Sequence, residues 1–221
     1  MNNKKSFYTA NLPAKKRVGP HNQDVISVLV GNLLGDGYAE KRENTTRFHL
    51  RITNNNAQYV FWLYNFFAER GYCSPTVPSI KKQIGNLNRV HFSIKFTTFS
   101  FNSLNYLHEN FYPEGEGVKK KRKCVPTLVK NLLTERALAV WIMDKSGKSG
   151  DGLKLSTEGF TLQDNRVLQK ALSEKFFLEP FIQRHTGHHL LYFKKIDYGL
   201  LSSLVKPYTH PCMYYKLKQQ N

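Results

Sequence analysis

The sequence predicts an α+β fold built from two similar halves, each running helix, strands, helix, strands, helix. Three observations lead there. Stretches with helical apolar spacing alternate along the chain with stretches of two-residue alternation. Their order is the same on both sides of a composition break at residues 112–124 (YPEGEGVKKKRKC). Two segments of related pattern, LVGNLLGDG at residues 29–37 and LAVWIMDKS at residues 138–146, stand at matching places in the two halves. The chain therefore divides into a basic lead (1–21), a first half (22–111), a linker (112–124) and a second half (125–221).

In chain order, Pro13, Gly19 and Pro20 break the lead, whose cations are Lys4, Lys5, Lys15, Lys16 and Arg17. The lead has no apolar signal-peptide core, and its sparse Arg gives weak support for a transit peptide. A helix is expected over 22–35, with Asn22 or Asp24 as cap and Val25, Ile26, Leu29, Leu33 and Leu34 as its apolar stripe; it stops at Gly35-Asp36-Gly37. Phe48, Leu50 and Ile52 then alternate with Arg47, His49, Arg51 and Thr53, a strand with one buried and one cationic face. Residues 56–70 form an amphipathic helix closed by Gly71. The density of its aromatics fits packing on a sheet better than base stacking. A second alternating strand covers 89–98, and an aromatic-rich helix covers 100–111. In the second half a helix is expected over 134–144, followed by a Gly/Ser-rich loop to Gly152. A strand then sets Leu153 and Leu155 against Lys154 and Ser156. A helix over 161–176, a strand pair over 180–195 turning at Thr186-Gly187, and a helix over 197–206 complete it.

The net charge is +17 and the isoelectric point about 9.8, which points to a polyanionic partner, nucleic acid first. No apolar run is long enough for a membrane span. Cys73, Cys124 and Cys212 have neither CxxC nor Cys–His spacing, which argues against a zinc site and a disulfide framework; adjacent His188 and His189 lack partners at ligand spacing. Two like halves match the local twofold symmetry of duplex DNA.

In LVGNLLGDG, Gly31 and Gly35 stand four apart on one helix face, where small residues let two backbones approach, and Asp36 follows the helix end. The two segments resemble the paired helices of LAGLIDADG homing endonucleases of the single-chain, intron-encoded type. Lys123-Cys124-Val125-Pro126 resembles the Lys-x-Ile/Val-Pro of one branch, and Lys206-Pro207-Tyr208 with Pro211, Met213, Tyr215, Lys216 and Leu217 resembles its C-terminal pattern. The likeness covers residues 24–218. It implies αββαββα halves, each a curved antiparallel sheet backed by helices, with the two motif helices packed at the interface. It implies a monomer that binds a long double-stranded DNA site and hydrolyses phosphodiester bonds with divalent metal, Mg2+ or Mn2+, and an organelle such as the mitochondrion. Intron RNA is the alternative partner, since some family members assist splicing.

By position the metal belongs at Asp36 and Gly35, with Lys123 and Lys216 as basic catalytic residues or else as solvated lysines. The second motif departs from the pattern: Lys145 stands where Asp36 has its counterpart. Asp144, one residue earlier, is the substitute ligand but is turned by about 100° on a helix. Nicking of one strand, binding without cutting, or a substitution that traps an uncut complex would each follow. The expected reading surface is Arg47, His49, Arg51, Lys95, Lys154, Arg184 and His185, on what are otherwise solvated strand faces. The linker cations Lys119, Lys120, Lys121 and Arg122 suit phosphates, or a solvated loop.

Overall fold

The computed structural model describes residues 12–53, 57–84, 90–113 and 122–217. Within these, both sequence halves show the expected element order. The first has α1 (Gln23–Leu34), β1 (Tyr38–Arg42), β2 (Thr45–Thr53), α2 (Ala57–Glu69), β3 (Ile80–Ile84), β4 (Val90–Thr97) and α3 (Asn105–Phe111). After the linker come α4 (Val129–Leu132), α5 (Glu135–Lys145), β5 (Ser146–Ser149), β6 (Gly152–Leu155), α6 (Leu162–Phe176), β7 (Phe181–His185), β8 (His188–Phe193) and α7 (Tyr198–Val205). Each half has one four-stranded antiparallel sheet, ordered β1-β2-β4-β3 and β5-β6-β8-β7.

Local chemistry sets the helix ends. The Asn22 side chain accepts the Asp24 N–H, and Gly35 closes α1 with its N–H on the Gly31 carbonyl. Thr134 caps α5 by accepting from Ala137 N–H. Thr161 and Asp164 form a reciprocal capping box on α6. Gly71, at φ 73°, ends α2, and the next N–H, of Tyr72, reaches back to Phe67 O, as the sequence led one to expect. Thr186 (φ 45°) and Gly187 (φ 83°) form the two-residue turn between β7 and β8.

The chain forms two compact units. One contains Asp36–His108; the other joins Asn22–Gly35 to Glu109–Asn221, so α1 belongs with the second-half elements. In the first unit, α2 buries Tyr59, Val60, Leu63, Tyr64, Phe66 and Phe67, and the sheet buries Ala39, Phe48, Leu50, Ile94 and Phe96 on the face of alternate residues. In the second, Leu153, Leu155, Leu191 and Phe193 of the sheet are buried, as are Leu168, Leu172 and Phe176 of α6.

Four elements lie outside the sequence expectation: β1, β3, α4 and β5. Three are edge strands, and β5 replaces the expected Gly/Ser loop. An edge strand is held by backbone bonds to one neighbour and needs little apolar alternation. β1 (YAEKR) buries only Ala39, and β3 leaves Ile80 and Ile84 exposed. The aromatic-rich helix also begins later than expected, with a 3-10 turn at Asn102–Leu104 ahead of α3.

Candidate nucleic-acid interface

The second unit brings the two motif helices, α1 and α5, side by side. A Cβ on Gly31 would lie 2.5 Å from the Ala137 carbonyl oxygen and 2.7 Å from Val140 Cβ; one on Gly35 would lie 2.7 Å from Asp144 Cβ. Backbone thus meets backbone at a separation only glycine permits. At the opposite end of the pair, Thr134 Oγ1 donates to Ser27 Oγ (2.8 Å), and Arg136 Nε pairs with Asp24 Oδ1 (3.1 Å). The contacts Gly31–Val140 and Gly35–Asp144 fix the helix register, so Asp36 and Lys145 are the corresponding next residues.

Lysines close both helix ends. Lys123 Nζ donates to the Gly35 carbonyl (3.1 Å), and Lys216 Nζ to the carbonyls of Met143 (2.6 Å) and Ile142 (3.4 Å). Ammonium groups suit the negative end of a helix dipole. Lys145, the last residue of α5, is half-buried, and Asp36 is exposed. Asp144 lies against Gly35, facing α1, rather than in the direction of the residue that follows it.

A divalent ion prefers carboxylate and carbonyl oxygens. No cluster of three or more His, Cys, Asp or Glu side chains suited to a metal occurs among the described residues. The last carbonyls of both helices accept from a lysine, so the ends differ in the next residue: at α5 an ammonium replaces the acid, which does not fit such an ion. The end of α1 offers the Gly35 carbonyl, followed by the carboxylate of Asp36.

In the first unit, register puts Tyr38, Glu40 and Arg42 of β1 on the same face as His49, Arg47 and Thr45 of β2, with Arg51 opposite Lys95 of β4. This is the face away from α2. Arg47 Nε and Nη2 contact Glu40 Oε2 at 2.8 and 2.7 Å, and Arg42 Nε donates to Glu40 Oε1 at 2.8 Å. These bonds, from Arg42 and then Arg47, pull the Glu40 carboxyl down to about 2. Lys95 is exposed. The Arg51 side chain, and all of Lys119, Lys120 and Lys121, lie outside the described residues.

His49 is corrected from the sequence expectation. It is 3% exposed, because Tyr38 stacks flat on it (centroids 4.4 Å apart, planes within 4°) and its Nε2 donates to Glu40 Oε2. Burial lowers its pKa, partly offset by the Glu40 bond, and Nδ1 is buried without a hydrogen-bond partner. A neutral, covered imidazole supports the surface instead of reading from it. Tyr38, 44% exposed, presents in its place. Sequence reasoning missed Tyr38, Glu40 and Arg42; the available signal was a two-residue turn, Glu43-Asn44, placing Glu40 across from Arg47.

In the second unit, Lys154 lies opposite Gly147 and Tyr192, its Cε 3.4 Å from where a Gly147 Cβ would be. His185 shares that face by alternation. Arg184 does not: it pairs with His189, on the side of Leu191 and Leu155. Adjacent strand residues point to opposite faces, so the two cannot act together. Arg122 is exposed and donates through Nε and Nη2 to the Gly159 carbonyl.

A family model described as the LAGLIDADG DNA endonuclease family matches residues 26–201. The chain is 32% identical, over 98% of its own length, to the cytochrome b mRNA maturase bI2 of Saccharomyces cerevisiae, and spans 53% of that protein. It is 38% identical to the intron-encoded endonuclease ai4 of Dictyostelium discoideum, over 70% of this chain and 98% of that one. Among solved structures, the homing endonuclease I-WcaI bound to its DNA recognition sequence superposes with a TM-score of 0.80 at 28% identity, covering 97% of this chain and 96% of that one.

Proposed function

Because the chain belongs to the LAGLIDADG DNA endonuclease family, we propose that it binds a long duplex DNA site as a monomer and that Lys145 impairs its strand cleavage, leaving a nick or no cut. The observation that supports this reading is the α1–α5 register, in which Gly31 meets Val140 and Gly35 meets Asp144, so that Lys145 follows Asp144 in the chain as Asp36 follows Gly35. One ion, Mg2+ or Mn2+, would be held by Asp36 and the Gly35 carbonyl, where it would lower the pKa of water and neutralise phosphate charge. Lys123 Nζ on the Gly35 carbonyl, and Lys216 Nζ on the carbonyls of Ile142 and Met143, set two ammonium charges at the ends of the motif helices, where they would favour a phosphate. Lys145 repels a second cation: at ~4 Å and an effective dielectric of ~20, one like-charge contact costs on the order of 4 kcal/mol. Arg47 and Lys95 share a sheet face that suits a groove, with Arg51 at the register position across from Lys95, His185 and Lys154 on the other sheet, and the linker cations on phosphates. The maturase relative supports placement in an organelle such as the mitochondrion.

A second reading, an RNA-binding splicing factor, is favoured by that same relative, matched over nearly the whole chain. A splicing factor has no need of the acid that Lys145 replaces. The test is a supercoiled plasmid carrying a site recovered by binding selection, incubated with magnesium. The parent is expected to nick or leave it intact, and Lys145→Asp to linearise it. If both proteins bind and neither breaks a strand, the nuclease reading fails and structured intron RNA becomes the substrate to assay.

A further inference from the structure

Given duplex reading by the first sheet, we propose that Glu40 is a specificity-determining positioning residue, whose carboxylate fixes the Arg47 guanidinium so that it reads one base pair. A carboxylate on the face of a strongly basic protein that meets DNA would ordinarily repel phosphate. Glu40 is not a bare anion: Arg42, Arg47 and the ring of His49 all converge on its two oxygens. The group as a whole remains cationic. Glu40 and Arg47 lie directly opposite one another on β1 and β2, so the backbone ladder as well as the ion pair sets their separation.

The atoms engaged define what is left to do the reading. Glu40 Oε2 takes Nε and Nη2 of Arg47 from the side. The end of the guanidinium, Nη1 with the second N–H of Nη2, is the edge that pairs bidentately with guanine O6 and N7. A free arginine carries rotamer entropy over four side-chain torsions, part of which must be surrendered on binding. Here it is surrendered in the folded protein, so the discriminating contact is made by a group already held. His49 completes the support, buried beneath Tyr38 and bonded to the same Oε2. The second sheet has no acid at the matching place: the cross-strand neighbours of Lys154 are Gly147 and Tyr192.

The test is binding selection from a randomised duplex library, run on the parent, Arg47→Ala, Glu40→Ala and Glu40→Gln, with melting temperature and salt dependence measured for each. The parent should select guanine at one position by about 5- to 150-fold, the worth of a bidentate pair. Arg47→Ala should flatten that position. Glu40→Ala should flatten the same position while other positions and the salt slope hold. Glu40→Gln, which keeps an acceptor of the same shape, should fall between and guards against a Glu40→Ala that does not fold. If the parent selects a site and both Glu40 variants keep its preference at the Arg47 position, the inference is wrong and duplex reading stands. If Glu40→Gln loses preference at every position alike, Glu40 is merely structural and the inference is likewise wrong. If the parent selects no duplex sequence at all, duplex reading fails and takes the inference with it.

Discussion

The two halves of the sequence share one plan and differ in where they keep acids. The first retains Asp36 at its motif and places Glu40 at the centre of an arginine–histidine group on its sheet. The second puts Lys145 at its motif and Lys154, lying over Gly147, on its sheet. An acid among cations holds them in place and offers oxygen to a metal. A lysine in the acid's place is a point charge that attracts phosphate and repels a metal. On the proposed function, the difference separates a half equipped for geometry and chemistry from a half equipped for grip.

The most severe test of that contrast is to restore the missing acid. Lys145→Asp replaces an ammonium with a carboxylate, and removing one like-charge contact is worth on the order of 4 kcal/mol, or roughly a thousandfold in ion affinity. Calorimetric titration with Mn2+ should show one weak site or none in the parent, and a marked gain in Lys145→Asp. Adding Asp36→Asn to that variant should remove most of the gain. Equal ion affinity in parent and Lys145→Asp would show that the halves do not differ in the way the register implies.

Much of this plan was legible in the sequence, and what was not has a common physical origin. The Gly31–Gly35 spacing announces a close helix pair because nothing but a missing Cβ allows one. The alternation of Phe48, Leu50, Ile94 and Phe96 announces a half-buried sheet because burial imposes it. Strands β1, β3 and β5 carry little of that alternation, since ladder bonds rather than burial hold them at the edges. With β1 unseen, Glu40 had no partner and His49 had no cover, so its burial was invisible. Arg184 and His185 were both placed on the reading face because their strand lacks a strong apolar pattern to fix its phase; the turn at Thr186-Gly187 and the ladder to β8 supply it.

The helix pair offers the next largest effect, since it too is uneven: Gly31 on α1 faces Val140 on α5. Gly31→Ala drives a methyl into the Ala137 carbonyl and Val140, contacts that move only if the helices part. Overpacking of this kind costs about 1–3 kcal/mol. At about 2–4 °C per kcal/mol for a chain of this size, the melting temperature should fall by several degrees. Gly159→Ala is the control, with nothing within 4 Å of its new methyl and a shift expected within about 0.5 kcal/mol of zero. Similar melting of the two variants would mean the helices do not meet at Gly31.

A smaller effect belongs to the first sheet alone. Burial holds the His49 pKa below its usual 6.5, so at mildly acid pH the unfolded chain takes up a proton that the folded chain refuses. Stability is therefore full above about pH 6.5 and declines as pH falls below it, with a slope bounded near 1.4 kcal/mol per pH unit for one proton. Glu40, held down to about 2, stays ionised throughout this window. His21 is depressed by burial in the same sense, so urea midpoints of His49→Gln between pH 5 and 8 should show a shallower slope than the parent's rather than a flat line. A slope unchanged in His49→Gln would mean that the ring is not covered in solution.

The finest discrimination lies between an arginine held by an acid and a lysine without one. A lysine without an acid to fix it reaches phosphate as readily as a base edge, so Lys154→Ala should weaken duplex binding by a similar factor on every sequence, since a phosphate contact carries no base information. It should also lower the slope of log K against log salt by about 1, the signature of one counterion fewer released. Arg47→Ala should act chiefly at one base position, with little change common to all sequences. The two signatures are measured in one set of salt titrations on the selected site and on a variant of it changed at the Arg47 position. If Lys154→Ala also relaxes a single base, the lysine reads sequence despite having no acid across the strand, only Gly147 and Tyr192. Grip and reading would then be shared by both sheets, and the acid at Glu40 would not be what separates them.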